Sequence, residues 1–371
     1  VGPTRQAAAH GGCGVMRLDR AERALSDVLD RVAVTAVEVG LRFPLFAEPD
    51  TGRWTTTGRG AWTGGFWAGL LWLRALHTGD PADRAAASAC TARLAPWVEA
   101  DTATRGLILW YGTALARGDS AAGELRGRAA RACLDAVHPQ LALVPWGSAF
   151  GGPRLLARVD AVPGMVPLLA QAGPRGAVAA ASHLHRHVEL CLGTGGLVPS
   201  WRYEEDASWQ ACDDPPSGWS RGRAWLLLAV ADALLHPDGA QGEPAGLETA
   251  ARVLAPRADA SVSLVPPADE ARPEGPLDTS AAAITAVALL KLARLPGPRA
   301  AEFSDRGAAI LDRLVRAHLT GPGGLRPAGM LLDGCYDAVR GTAPRHELVW
   351  GDFFLALGLA ALTGLVDIRN V

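Results

Sequence analysis

The sequence has almost no lysine and almost no asparagine: Lys291 and Asn370 are the only ones, while alanine, arginine, glycine and proline abound. This reads as a high-GC coding bias, so the arginines as a class say little about function. Surplus charge is missing too. With 36 basic against 38 acidic residues the formal net charge is -2, which argues against a nucleic-acid or polyanion partner. Cysteine motifs are absent, because Cys13, Cys90, Cys133, Cys191, Cys212 and Cys335 are scattered without a C-x-x-C pair. Neither a zinc site nor a redox centre is signalled, and no metal or cofactor is expected. No run reaches the length needed to span a bilayer, and no basic segment leads into a long apolar one. A cytoplasmic, soluble protein with no membrane partner is therefore expected.

What is present is apolar and helical in pattern. Apolar residues make up 49% of 371 positions, ample for a core, and a chain this long accommodates one large closed domain or two. Residues 1–17 are Gly-rich and aperiodic and predict a flexible arm; 18–371 predict a single domain. From Asp19 to about Leu41, Leu25, Val28, Leu29, Val32 and Ala36 recur at helical spacing. Amphipathic helices are also predicted near 81–99, 120–136, 176–193, 245–256 and 298–318. Almost uniformly apolar ones are predicted near 62–73, 104–117, 160–172, 219–235, 278–294 and 348–364. Half-exposed helices alternating with buried ones are what two concentric rings require. The predicted fold is all-α, an (α/α)6 toroid, with substrate entering where loops lead into the inner helices. Gly195 to Trp201 suggests a short ribbon or rim loop, and the Pro-rich segment 256–277 a long rim loop.

The chemistry centres on Val159-Asp160-Ala161-Val162-Pro163-Gly164-Met165. A carboxyl beside apolar neighbours loses hydration of its charged form and so stays protonated nearer neutral pH, which suits a proton donor. The plainer role for Asp160 is a helix N-cap. Gly218-Trp219-Ser220-Arg221-Gly222 matches the G-x-S-x-G of serine hydrolases, but that elbow needs a buried strand before it, and Asp213-Asp214-Pro215-Pro216-Ser217 stands there instead. It reads better as a loop entering an inner helix, with Ser217 or Ser220 capping and Trp219, Arg221 and Trp225 facing a central pocket. Arg221 would hold a substrate carboxylate by a bidentate bond, or else serve an ordinary ion pair. His183 and His187 stand four apart, a metal-ligand spacing on a helix, yet no acidic residue lies between them and no third ligand is evident. They read as solvated histidines on an outer helix. Twelve tryptophans stand against three tyrosines. Trp54, Trp62, Trp67, Trp201, Trp209, Trp219 and Trp225 fall at predicted helix entries, where an indole can stack on a sugar face or line an apolar cavity; Trp72, Trp97 and Trp110 read as core.

Six stretches in order then resemble the motifs of glycoside hydrolase family 88, the unsaturated glucuronyl hydrolases, and of the related family 105, the unsaturated rhamnogalacturonyl hydrolases. They are Trp62-Thr63-Gly64-Gly65-Phe66-Trp67, Val159-Asp160 with Met165-Val166-Pro167-Leu168-Leu169, Gln210, Trp219-Ser220-Arg221-Gly222-Arg223-Ala224-Trp225, Asp278-Thr279-Ser280-Ala281-Ala282 and Val349-Trp350-Gly351-Asp352-Phe353-Phe354. The resemblance runs from about residue 54 to 364. It implies an (α/α)6 barrel in which Asp160 protonates the C4=C5 bond of a terminal unsaturated uronic acid and assists attack of water at C5, so that the glycosidic bond breaks. Ordinary glycosidases instead flank the scissile bond with two carboxylates. Gln210 and Arg221 would orient the substrate, with Trp54, Trp62, Trp67, Trp219 and Trp225 walling the pocket and Arg105 as a further contact.

The sequence departs from the family at two places. Thr104 stands where the family has an acidic residue, within Asp101-Thr102-Ala103-Thr104-Arg105-Gly106-Leu107, and Ser200 where it has a histidine. Such exchanges change the choice of ligand. Two rivals to the hydrolase follow. One is a cyclase or isomerase that protonates an alkene-bearing intermediate through Asp160 without hydrolysis, for which the pocket would be apolar and closed. The other is a binding protein without turnover, which an exposed or ion-paired Asp160 would favour.

Overall fold

The computed structural model describes residues 16–193, 196–236, 244–256 and 263–371. The predicted arm lies outside the described residues except for Met16 and Arg17, as does part of the predicted 256–277 loop. The helices are α1 (Leu18–Val39), α2 (Gly64–Thr78), α3 (Pro81–Ala92), α4 (Ser120–Asp135), α5 (Met165–Ala170), α6 (Pro174–Cys191), α7 (Ser220–Leu235), α8 (Pro244–Leu254), α9 (Thr279–Leu292), α10 (Ala300–Ala317) and α11 (Val349–Leu362). An inner ring runs α2, a wide π-type turn at Gly106–Trp110, α5, α7, α9 and α11, each packed on the next, and it closes because α11 packs on α2. Helices α1, α3, α4, α6, α8 and α10 stand outside it. This is the (α/α)6 barrel.

Sequence sorts the two rings. Along α9 every residue from Thr279 to Leu292 except Thr285 is buried, and α11 is buried from Val349 to Ala361. Outer α1 buries Leu25, Val28, Leu29 and Val32 and leaves Val34 and Val37 in solvent. Each fully buried Leu or Phe contributes on the order of 1.5–3 kcal/mol, so the ring holds the fold. Asp80, Asp119 and Asp278 cap α3, α4 and α9 with their side chains, supplying acceptors to otherwise orphaned amides.

Two inner elements are shorter than the predicted helices 104–117 and 160–172. The reason is backbone meeting backbone: a Cβ on Gly106 would lie 2.2 Å from the Met165 nitrogen, and one on Gly164 would lie 2.4 Å from the Gly106 carbonyl oxygen. Gly164 also sits at φ +70°, a conformation that favours glycine. The chain therefore trades helix length for direct contact, bringing the Thr104 and Asp160 segments side by side.

Short strands line one end. β1 (Phe43–Ala47) pairs with β2 (Trp54–Thr57) and with β8 (Glu347–Leu348); β3 (Leu156–Arg158) pairs with β6 (Ser200–Tyr203), which pairs with β7 (Trp209–Ala211). β4 (Leu192–Gly193) and β5 (Gly196–Leu197) make the small ribbon expected near Gly195–Trp201.

Candidate active site

A cavity of about 870 Å³ opens where the inner helices begin. Of the residues singled out from sequence it gathers Trp62, Thr104, Asp160, Ser200, Trp219, Arg221 and Trp225. Asp160 is placed by strand β3, whose Arg158 pairs with Ser200 of β6, and by a 3-10 turn over Val159–Ala161. Val159 and Ala161 are buried, and the Val159 amide donates to Pro199 O at 3.0 Å. These anchors turn the intervening Asp160 to the cavity wall. Asp160 is not an N-cap, because α5 starts five residues later behind Gly164.

The apolar surroundings expected of Asp160 are corrected by its neighbour. Arg158 Nε donates to Oδ1 at 3.0 Å and Nη2 to Oδ2 at 3.1 Å, while the guanidinium lies 4.4 Å from the Trp146 ring centroid. Burial alone would lower the Arg158 pKa, but the charge of Asp160 and their hydrogen bonds raise it above the ordinary value. Such a fork is the strong form of an ion pair.

Arg221 has protein partners too. Its Nη1 donates to Asp278 Oδ2 and to Cys335 O, and its Nη2 to Tyr336 O at 2.8 Å. The side chain is 6% exposed and that of Asp278 fully buried, so this arginine, though in the cavity lining, braces α7 against α9 and the 335–336 loop, the ion-pair role weighed for it beside substrate binding. Trp219, 5.2 Å from the guanidinium, and Trp62, 4.8 Å from Trp350, form aromatic wall, with Trp225 buried behind. Ser220 donates its hydroxyl to Ala268 O at 3.4 Å, and neither it nor Ser217 caps α7.

Four other candidates lie elsewhere. Trp54 is on β2, its Nε1 donating to Thr35 at 3.0 Å, and Trp67 is buried; both border the buried Arg31–Glu347 ion pair. Arg105 spends its donors on Thr102 O, Val98 O and Ala132 O. Gln210 is exposed on β7, its side chain reaching only Ser208, at 3.4 Å, among the described residues. Of the remaining indoles, Trp201 and Trp209 are half-buried and pack beside Leu141, Leu143 and Ala157.

Thr104 is buried, with its hydroxyl 2.9 Å from that of Thr102, and the buried Ser200 Oγ has no partner among the described residues. His183 and His187 are fully buried, correcting their solvated reading. His183 Nδ1 accepts from the Val144 amide at 3.1 Å and Nε2 faces Ala161 O at 3.3 Å, tying the Asp160 turn to α6. Burial pushes His183 well below its ordinary pKa and His187 down to about 4. Among the described residues no group of three or more His, Cys, Asp or Glu is placed to hold a metal, and no helix is long and apolar enough to cross a membrane.

Sequence reasoning missed Arg158, Trp146, Tyr336, Asp337 and Arg340. Arg340 spans the rim, donating to Asp337 at 2.7 Å and to Asp214 at 2.6 Å. A single arginine in a highly arginine-rich sequence gives no signal; only the two-residue spacing of Arg158 and Asp160, ending a strand, does.

Over 386 aligned residues the chain is 25% identical to the unsaturated glucuronyl hydrolase of Bacillus sp. (strain GL1), covering 92% of this chain and 96% of that protein. An unsaturated glucuronyl hydrolase specific for heparin matches in structure with TM-score 0.80 at 18% identity, over 94% of this chain and 99% of that one. The Streptococcus agalactiae enzyme matches at 0.79 and 16% identity, over 100% and 99%. No family model matches the chain.

Proposed function

We propose that this chain, a homologue of the unsaturated glucuronyl hydrolases, releases a terminal unsaturated uronic acid from a small oligosaccharide by hydrating its C4=C5 bond. A proton goes to C4 and water adds at C5. The hemiketal opens to a C5 ketone, and the hemiacetal left at C1 collapses to free the alcohol. No redox partner is needed.

The observation that carries this reading is the Arg158–Asp160 pair in the wall of a cavity of mixed character. Trp62, Trp146 and Trp219 offer flat faces, while Arg158, Arg202 and Arg340 offer cations. The substrate carboxylate is conjugated with the double bond, so a cation that holds it places C4 and C5 beside the same wall. Arg158 takes that carboxylate and releases Asp160, which takes up a proton and delivers it to C4; the resulting carboxylate then deprotonates the water. Thr104 and Ser200 offer neutral hydroxyls where the resemblance has an acid and a histidine, which points to altered contacts with the sugar hydroxyls. The mixed lining speaks against the apolar, closed pocket of a cyclase.

The ion pair at Asp160 also suits a binding protein without turnover, and one assay decides. Loss of the conjugated enoate absorbance is followed on unsaturated uronyl disaccharides, including dGlcA-GalNAc6S, the sugar bound to a Streptococcus agalactiae relative. Loss with the native protein and none with Asp160→Asn is the expected result. Binding by calorimetry without any absorbance loss would establish the second reading.

A further inference from the structure

A second cavity, of about 640 Å³, lies at the opposite end of the barrel, where the inner helices finish. It is bordered by Trp110, by the C-terminal turn of α7 with Asp232, and by the N-termini of outer helices α4 and α6 at Asp119 and Pro174. Three observations set it apart from a bare gap between helices. Trp110 is 7% exposed and its indole N–H has no acceptor among the described residues. Asp232 is 2% exposed; Oδ1 accepts from Lys291, but Oδ2 has no donor among the described residues. Arg126 gives one hydrogen bond, to Thr113 O at 3.2 Å, and among the described residues no carboxylate lies within ion-pair distance of it or of Arg117. Burial is the sole influence on the Arg126 pKa and lowers it, as for a cation whose charge nothing nearby offsets.

Unmatched buried groups are few in folded proteins, and those gathered at one cavity mark a ligand that would match them. The unmatched buried groups are an indole N–H and a carboxylate oxygen, and beside them stands the half-buried guanidinium of Arg126, which has no carboxylate partner among the described residues. Helix α6 starts at Pro174, behind Gly173, with no side-chain cap, and a helix N-terminus favours negative charge. The C-terminus of α7 has the opposite polarity and the α4 N-terminus already carries its Asp119 cap, so the anionic group belongs on the α6 side, next to Arg126. Ala114, Val166, Pro167 and Ala170 leave the rest of the lining apolar.

We propose that this cavity binds a small hydroxylated carboxylate, with its carboxylate on Arg126 and the indole N–H of Trp110 and a hydroxyl donating to Asp232. The site is separate from the Asp160 cavity and rests on no part of the hydrolase reading. The probe is D-gluconate, titrated calorimetrically into the full chain, with inorganic phosphate as the arm that tests charge alone. One saturable site is expected in the native protein and in Trp219→Ala, whose altered side chain lies in the other cavity. Arg126→Gln abolishes it, and Arg126→Lys retains part. Trp110→Phe, which removes the N–H and keeps an apolar ring, weakens it about tenfold, the value of one hydrogen bond. A melt by circular dichroism checks each variant, and Trp110→Phe decides if Arg126→Gln does not fold. No gluconate binding, binding lost in Trp219→Ala and kept in Trp110→Phe, or phosphate binding as tightly as gluconate would each overturn the assignment.

Discussion

Arg158 grips Asp160 by both carboxylate oxygens, at 3.0 and 3.1 Å, with only the buried Val159 between them in the chain. Extended backbone at Arg158 followed by a 3-10 turn folds the two side chains onto one wall. The pair is 21% and 16% exposed, so it meets the cavity and is open to competition from a bound anion.

Replacing Arg158 therefore separates two roles. Arg158→Leu removes the cation that would hold the substrate carboxylate, and a charge-assisted hydrogen bond is worth about 1.5–3 kcal/mol. The expected loss is roughly ten- to a hundredfold in kcat/KM, carried mainly by KM, with Arg158→Lys intermediate. Steady-state kinetics on the uronyl disaccharide panel reads this. A change in kcat alone, with KM untouched, would assign Arg158 to the chemical step and not to the substrate.

Thr104 tests the departure from the family. It is buried at the cavity with its hydroxyl engaged by Thr102, so Thr104→Asp puts a carboxyl where the resemblance has one. Turnover of unsaturated uronyl disaccharides should rise while Tm falls, because a buried carboxyl without a cationic partner is costly. Unchanged turnover in a folded variant would mean that the position does not reach the substrate.

The buried histidines make stability depend on pH. His187 takes up a proton near 6.5 in the unfolded chain and, because burial disfavours the cation, only near 4 in the fold. Between those values the unfolded state binds more protons, so stability is complete above about pH 6.5 and falls as the pH drops toward 4. The full effect is roughly 3 kcal/mol. Denaturant titrations across this window should show the loss, and His187→Gln should flatten the slope.

The barrel was legible because helical periodicity survives in every outer helix: Leu25, Val28, Leu29 and Val32 of α1 are buried as their spacing predicts. The inner ring was legible from near-continuous apolar runs. Lengths at 104–117 and 160–172 were not, since nothing local tells that Gly106 and Gly164 face each other across the ring. The site was half legible. Position at a helix entry brings Trp62, Trp219 and Trp225 to the cavity, but it also selected Trp54 and Trp67, which sit beside α1. Asp160 stood out by its isolation among apolar residues, yet the partner that sets its environment, Arg158, was hidden by the abundance of arginine. His183 and His187 read as surface residues because they are polar, whereas inside the fold Val144 N and two backbone carbonyls bond three of their four ring nitrogens and His187 Nε2 is left without a partner among the described residues.

Arg221 gives the sharpest contrast between a ligand-binding and a bracing role. Its guanidinium bonds Asp278, Cys335 O and Tyr336 O, and Asp278 Oδ1 caps α9 through the Ser280 and Ala281 amides. Removing one member of a buried pair strands the other, at about 3–5 kcal/mol. Arg221→Met should therefore lose stability on that scale, and Asp278→Asn, which keeps an acceptor for the cap, should lose less. The double variant should be more stable than the sum of the two losses implies, because neither charge is left alone. Chemical denaturation of the three variants measures this coupling. If Arg221→Met instead folds with native stability and fails only in binding unsaturated uronides, its guanidinium serves the ligand and the brace is incidental.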